Sequence, residues 1–390
     1  MNALPATRFD VVLNIPSPYR IHLLRILDEE LRIRGAKLHV HFMAEGHAER
    51  PASWRNPHVP FAHTYWKDFG RGSWHFNPGL VRHLSRTGPC DYLVTGTSWS
   101  TFTGIALALT CPRRTGILWA EGNTKTPGKL DGLPGLFKRL ILRQYDFAAV
   151  PGSEGAAYIR LHQKRTTRKL PTPVVLPNLI DETVFKPRVE WPASDVLQIR
   201  KQFNVGPTDK LAISPARLEP VKGFLEFIRD LPVESLAGWR WLIIGEGSLK
   251  ADISRLLDSR GLAERATIIN YVPYDRMPLL YAAADLFVLP SVYDPNPLSV
   301  IEAMHSGLPL LVSSQVGNFP EALLEGQTGW GFSPAAASEI RAASHAAFTA
   351  PDDLLRRCGL IAKQQATQVW CSTAAIRRFL DQIGLSPGGI

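Results

Sequence analysis

Two Rossmann-like α/β domains are predicted by three observations. The chain has 390 residues, more than a single hydrophobic core usually serves. Short apolar runs closed by turn residues alternate with stretches of helical apolar spacing, the pattern of βαβ units around a parallel sheet. The alternation breaks once, at the polar segment KPRVEWPASDVLQIRKQFNVGPTD (186–209), and then restarts.

In order along the first half, FDVVLN (9–14) reads as a buried strand and YRIHLLRILDEELRIRG (19–35) as a helix ending at Gly35. KLHVHFMA alternates like a strand, and DYLVTG, RTGILWA and DFAAVPG are short apolar runs closed by turn residues. Beyond the break come LAISPA, FLEFIRDL, WRWLIIG, LKADISRLLDSRG, ATIINYV, MPLLYAAA, LFVLP, SVIEAMHSG and LPLLVSS, again strand and helix in turn.

With 45% hydrophobic and 20% charged residues, the composition is that of a soluble globular protein. No run of eighteen apolar residues occurs, so no transmembrane helix is expected. The opening MNALPATRFDVVLN lacks the basic-then-apolar design of a secretion signal. Cys90, Cys111, Cys358 and Cys371 have no metal-ligand spacing and read as core thiols of a reducing compartment. The net charge of +9 is lopsided: 26 Lys/Arg face 16 Asp/Glu before residue 196, and 18 face 19 after it. An anionic partner for the first half follows, be it nucleic acid, a phosphorylated substrate or a membrane surface, with a merely solvating face as the alternative.

The stretch YDPNPLSVIEAMHSG (293–307) sets Asp294 and Glu302 eight positions apart. Asn296 is a good N-cap and Pro297 suits the first helical position, so a helix is expected from there to Ser306, ended by Gly307. It would begin at the carboxyl edge of a parallel sheet, where open α/β folds bind ligands. Its N-terminus suits a phosphate or diphosphate. Glu302 in the second turn can accept hydrogen bonds from a sugar diol, and Asp294 in the loop from a second sugar. One acid on each side of a diphosphate fits a nucleotide-sugar; a helix-start Asp plus a solvated Glu is the alternative. In ISPARLEPVKGF (213–224), Arg217 and Lys222 flank a turn after a strand, where two cations can neutralise a diphosphate leaving group. In IIGEGSLK (243–250), Gly245 and Gly247 permit close backbone approach, or simply a tight turn.

Taken in order, these pieces resemble the retaining glycosyltransferases of glycosyltransferase family 4, which have the GT-B fold. SPARLEPVKGF is similar to that family's Arg…Lys phosphate segment, and IIGEGSLKADI to its Gly-x-Gly strand end. YAAADLFVLPSVYDPNPLSVIEAMHSGLPLLVSSQVGNFPEAL resembles its signature block of an acid, seven residues and Glu, followed by Ala-Met. LPNLIDETVFKP is similar to its interdomain Pro-Asn-x-x-Asp-x-x-x-Phe segment, and IPSPYRIHLLRIL to the opening of a subgroup with Pro-Tyr-Arg. The resemblance implies two Rossmann-like domains facing each other across a cleft that closes during turnover. The layout expected is an acceptor-binding domain over 1–190, a linker over 191–208, a nucleotide-sugar domain over 209–365, and a helix within 366–390 packing back on the first domain.

The resemblance also implies roles. Arg217 and Lys222 would bind the donor diphosphate and Asp294 would touch the transferred sugar, these three forming the catalytic set. Glu302 would hold the ribose, the backbone of Asn296, Leu298 and Ser299 would face the phosphates, and Gly245 and Gly247 would admit the nucleoside. Arg20, Ser98 and Glu121 are acceptor-side candidates, a surface or helix-cap Glu being the alternative for Glu121. Three departures stand out: Asp294 replaces the usual Glu, Asn296-Pro297 replaces Phe-Gly, and Ser98-Trp99 stands where many members carry a His.

The activity implied is transfer of a sugar from a UDP- or GDP-linked donor, with retention, to a glycan or lipid-linked acceptor in bacterial-type exopolysaccharide or O-antigen synthesis. No metal or other cofactor is expected, there being no Asp-x-Asp motif. The place expected is the cytoplasm, with peripheral attachment to the inner face of the plasma membrane. LPGLFKRLILRQYD (133–146) is a candidate for that attachment, with Leu136, Phe137, Leu140 and Ile141 on one side and Lys138, Arg139 and Arg143 towards the other. A helix covering the core is the alternative. TYWKDFGRGSWHFN (64–77) is a second candidate, for acceptor or membrane. Nucleic-acid binding is not expected for want of a recognised motif, and a nicotinamide oxidoreductase would need a third glycine after IIGEG. A catalytically inactive glycan- or nucleotide-sugar-binding relative is the remaining rival.

Overall fold

A computed structural model describes residues 6–46, 58–70, 74–97, 99–126 and 130–386. The chain forms two compact units, Met1–Leu179 with Ser372–Ile390, and Ile180–Cys371.

In the first unit, β1 (Thr7–Leu13), β2 (Ala36–Phe42), β3 (His63–Tyr65), β4 (Cys90–Thr95), β5 (Arg113–Trp119), β6 (Phe147–Val150) and β7 (Thr172–Val175) form one sheet in the order β3-β2-β1-β4-β5-β6-β7. Every pairing is parallel, so crossovers supply α1 (Pro18–Ile33), α2 (Pro78–Arg86), α3 (Phe102–Thr110), α4 (Gly132–Leu142) and α5 (Ser153–Gln163). Strand order reverses between β1 and β4, and the loops that follow these strands diverge there. Near the carboxyl terminus, α14 (Ser372–Gln382) packs on α1 and β7. Gln382 accepts the Val175 N–H at 3.0 Å. Arg377 and Arg34 both bond the buried Glu30, at 2.9 and 2.7 Å. Burial works against that carboxylate, but the two arginines outweigh it and hold its pKa below the usual range.

The second unit repeats the plan. β8 (Lys210–Pro215), β9 (Trp239–Ile244), β10 (Ala266–Ile269), β11 (Leu286–Leu289), β12 (Leu310–Ser313) and β13 (Gly329–Phe332) pair in parallel in the order β10-β9-β8-β11-β12-β13, reversing between β8 and β11. Around it lie α6 (Ala193–Gln202), α7 (Phe224–Asp230), α8 (Lys250–Ser259), α9 (Met277–Ala283), α10 (Leu298–His305), α11 (Phe319–Ala322), α12 (Ala337–Phe348) and α13 (Asp352–Val369). A buried polar chain fixes the middle strands: Trp241 Nε1 donates to Ser214 Oγ at 2.8 Å, which donates to the Val288 carbonyl at 2.7 Å. Such a chain stabilises only when every member is bonded.

Three expectations are corrected. The segment 191–208 is not a free linker, since it holds α6, which packs on α9. Arg188 and Arg200 clamp Asp285 at 2.7 and 3.0 Å and donate to the carbonyls that end α9, where the helix dipole favours cations. Residues 366–369 continue α13, and the division falls between Cys371 and Ser372. In α4, Ile141 does not share the side of Leu136, Phe137 and Leu140: it is buried with Leu142, whereas those three are exposed. Arg139 is buried too, donating to the Leu130 carbonyl at 2.8 Å. In the second aromatic segment, Phe69, Trp74 and Phe76 are exposed around Asp68, which accepts the N–H groups of Gly70 and Phe76; residues 71–73 lie outside the described residues.

Candidate functional site

At the second unit's reversal point, the chain leaves β8, crosses over the strand ends, and makes a 3-10 turn at Pro220–Lys222. Gly223 follows with φ 66°, and a Cβ there would meet the Pro290 carbonyl oxygen at 2.2 Å. Only glycine fits both the left-handed backbone and that approach. The Val221 carbonyl then accepts the N–H groups of Val292 and Tyr293 at 3.0 and 3.1 Å. The loop after β11 is held on its other flank by the Gly317 N–H, which donates to the Asp294 carbonyl at 2.8 Å, and by Asn318, whose amide donates to the Pro297 carbonyl at 3.0 Å.

This bracing brings Lys222 and Asp294, 72 residues apart, into a direct, mostly buried ion pair. Arg217, from the same turn region, is exposed. The helix does not begin as expected: α10 starts at Leu298, with Pro297 in extended conformation at the cap position and no side-chain cap bond from Asn296. Asn296 Oδ1 is buried without a hydrogen-bond partner. Pro297 therefore supplies neither an N–H nor a helical turn, and the first-turn N–H groups belong to Leu298 and Ser299.

Glu302 is buried in the second turn of α10 and accepts the Tyr281 hydroxyl at 2.7 Å. Burial pushes its carboxyl up to about 7, the Tyr281 bond opposing but not cancelling the effect. Tyr281 is itself fully buried, its ring packed edge-on against Phe185 at 5.6 Å. Phe185 closes the LPNLIDETVFKP segment and touches Tyr274 as well, at 5.7 Å. Glu302 is thus no solvated helix-face acid.

The two glycines after β9 have a structural use of their own. A Cβ on Gly245 or Gly247 would meet the carbonyl oxygens of Ala216 and Leu218 at 2.0 and 2.3 Å, so the close backbone approach they permit is that of the β8 loop. Glu219, which sequence reasoning passed over, ties the two loops together by accepting the Ser248 hydroxyl at 2.7 Å and its N–H at 3.2 Å. Those bonds hold its carboxyl below the usual range.

At the first unit's reversal point lies a cavity of about 360 Å³, lined by the loops after β1, β4 and β5. Arg20 stacks its guanidinium over Trp119 at 3.9 Å and pairs with Glu121. Arg20 is buried, and its Nη1 has no hydrogen-bond partner. The Glu121 carboxylate is half exposed. Lys138 reaches the wall from α4 and donates to the Tyr158 hydroxyl at 3.2 Å, while Trp99 gives a further aromatic surface. Arg20 and Glu121, 101 residues apart, are brought together; Ser98 lies outside the described residues. Cation, carboxylate and tryptophan rings are the groups that recognise a polar, partly apolar-faced ligand such as a sugar. Among the described residues, no group of three or more His, Cys, Asp or Glu is placed to hold a metal ion, and no helix is long and apolar enough to cross a membrane.

Residues 195–365 match the family described as glycosyl transferases group 1. An uncharacterized glycosyltransferase of Methanocaldococcus jannaschii is 29% identical over 150 residues, 38% of this chain and 38% of that protein. The O-antigen chain mannosyltransferase B of Escherichia coli is 31% identical over 164 residues, 41% of this chain and 42% of that one. The matched segments therefore span less than half the length of these relatives. Among solved structures, Anabaena HepE in complex with UDP and glucose has a TM-score of 0.72 at 16% identity, covering 97% of this chain and 99% of HepE; at that identity the likeness is one of fold. The chain has the fold of GT-B glycosyltransferases, and its residues 195–365 are similar to the glycosyl transferases group 1.

Proposed function

We propose that the protein is a retaining glycosyltransferase that moves a sugar from a UDP- or GDP-linked donor to a glycan or lipid-linked saccharide, in the cytoplasmic synthesis of a bacterial-type exopolysaccharide or O-antigen. The observation that carries this reading is the grouping at the β8/β11 reversal: the Lys222–Asp294 pair, exposed Arg217, the α10 N-terminus and buried Glu302. HepE with UDP and glucose, and the E. coli enzyme named for O-antigen chains, support it.

In this reading the donor diphosphate lies against the Leu298 and Ser299 N–H groups, and Arg217 and Lys222 balance its charge. Lys222 exchanges its Asp294 partner for a phosphate oxygen, which releases Asp294 to accept a hydroxyl of the transferred sugar. Glu302, ionised, accepts the ribose hydroxyls, and the nucleoside lies beyond the Gly245–Gly247 loop. Arg20 and Glu121 hold the acceptor. The anomeric carbon's bond to the phosphate oxygen breaks as the acceptor oxygen bonds the same face, and the departing phosphate oxygen takes the acceptor's proton. Neither metal nor organic cofactor enters the scheme.

Thermal-shift titration with UDP and with GDP tests the donor site. A nucleotide at about a hundred times its Kd stabilises by about 2.7 kcal/mol, a rise of roughly 5–10 °C in a unit of this size. The expected result is a shift with one nucleotide that Glu302→Ala abolishes. No shift with either, or an equal shift in the variant, overturns the site; binding without turnover across a panel of sugar nucleotides would make the protein a binding relative instead.

A further inference from the structure

We propose that the cavity of the first unit is built for an acceptor that carries a negative charge, a saccharide bearing a phosphate or a carboxylate group. The inference rests on taking this cavity as the acceptor's place, and it deepens that reading by naming the substrate class. Lys138 on α4, Arg20 on α1 and the amino end of α1 carry it together.

Lys138 is half-buried, and its ammonium group has an uncharged partner, the Tyr158 hydroxyl at 3.2 Å. It stands 6.0 and 5.9 Å from the ring centres of Trp99 and Tyr158, at the edge of cation–π reach. Among the described residues that line the cavity, Glu121 is the one acid, and it is engaged by Arg20. The surroundings behind Lys138 are cationic as well. His162 is fully buried, its ring edge-on to Tyr158 at 4.9 Å. Burial first, then the charges of Lys138, Arg139 and Arg165, push it down to about 4, with Asp131 opposing. Asp131 is itself paired with Arg165 at 2.8 Å, so it does not answer the ammonium.

From another wall comes α1, which begins at Pro18 with Ser17 at the cap position and no side-chain cap bond. Ser17 and Arg20 both line the cavity, so the positive end of a 16-residue helix meets it. A helix end alone would mean little. Here Arg20 adds a guanidinium that is 8% exposed and keeps an Nη1 without a hydrogen-bond partner.

A neutral sugar filling this space would strip water from a half-buried ammonium and return no charge, and burying an unanswered cation is unfavourable. An anionic group on the sugar removes that penalty, while the Trp99 ring meets the apolar face of the sugar. An ammonium is a point charge with no preferred plane, so it suits phosphate and carboxylate oxygens alike.

The test is calorimetric titration of the full chain, without nucleotide, with glucose 6-phosphate, glucuronate, glucose and inorganic phosphate. Wild type should bind one of the two charged sugars about tenfold or more tighter than glucose, and which one it prefers separates phosphate from carboxylate. Inorganic phosphate should bind more weakly than that sugar. Lys138→Gln, at an unchanged melting temperature, should bring the charged sugar to within about twofold of glucose, and Lys138→Arg should keep the preference. Added salt should narrow the gap in wild type. Glucose bound as tightly as both charged sugars, no binding by any of the sugars, inorganic phosphate bound as tightly as the preferred sugar, or a preference that survives in Lys138→Gln overturns the proposal. Nucleotide-induced thermal shifts in the same variants report on the donor site separately. A shift kept in Lys138→Gln and lost in Glu302→Ala leaves the sugar-transfer reading standing when the charge preference fails. A charge preference with no nucleotide shift leaves the anion site standing without the transfer.

Discussion

Both sheets reverse strand order once and both put their candidate sites at that reversal, yet they hold the surrounding loops by different means. In the second unit the bracing is mostly backbone to backbone, with Asn318 and Glu219 adding side-chain bonds: Val221 with Val292 and Tyr293, Asp294 with Gly317, and glycines 223, 245 and 247 lying under carbonyl groups. In the first unit the cavity is assembled from side chains, with Arg20 stacked on Trp119 and paired to Glu121, and Lys138 bonded to Tyr158. A backbone-braced site keeps one shape whatever its neighbours are, which suits a constant ligand. A side-chain cavity can be recut by single substitutions without disturbing the sheet, which suits a ligand that varies.

The sharpest way to break this contrast is Gly223→Ala. Added to a left-handed backbone and pressed on the Pro290 carbonyl, the methyl group should cost about 3 kcal/mol or more. Urea denaturation of the full chain should show the loss as a lower midpoint. A variant as stable as wild type would mean that the bracing is dispensable.

A smaller effect separates charge from shape at Glu302. Its folded pKa, about 7, lies above its ordinary value near 4.5. The folded state therefore holds the proton more tightly, and that contribution is full below about pH 4.5 and lost as pH rises through about 7. Glu302→Gln, neutral at every pH, should be more stable than wild type by about 1–3 kcal/mol at about pH 8 and close to it at about pH 4.5. Melts at the two values decide, and parallel curves for the two proteins would deny the buried charge any cost.

The smallest change expected is in the first unit. Glu121→Gln, half exposed, should leave stability and nucleotide binding untouched while raising the acceptor KM about tenfold. An unchanged KM would remove Glu121 from the acceptor site.

How far the sequence carried depends on range. β1, β9 and β11 are apolar runs closed by Gly, Pro or Asn, and such local signals are readable. β3, β7 and β13 have three or four residues each, HTY, TPVV and GWGF, too short and too mixed for a period to show. The contents of the sites divide in the same way. The sequence marks Lys222 and Asp294 as neighbours of one ligand, but nothing local announces that they bond each other across 72 residues. The Tyr281 partner of Glu302 and the stacking of Arg20 on Trp119 are likewise products of strand order. Gly245 and Gly247 were legible as sites of close approach, while the identity of what approaches, the Ala216 and Leu218 carbonyls, waited on the fold.

The return of α14 to the first unit bears on how the molecule is made. During synthesis Ile180–Cys371 emerges as one uninterrupted stretch and has all its strands before α14 leaves the ribosome. The first unit, although begun earlier, lacks the Arg377 partner of Glu30 and the Gln382 bond to β7 until α14 has been made. The domain translated first is the one finished last, so a nascent chain carries an uncovered flank on α1 and β7 for the whole time the ribosome spends on the second domain.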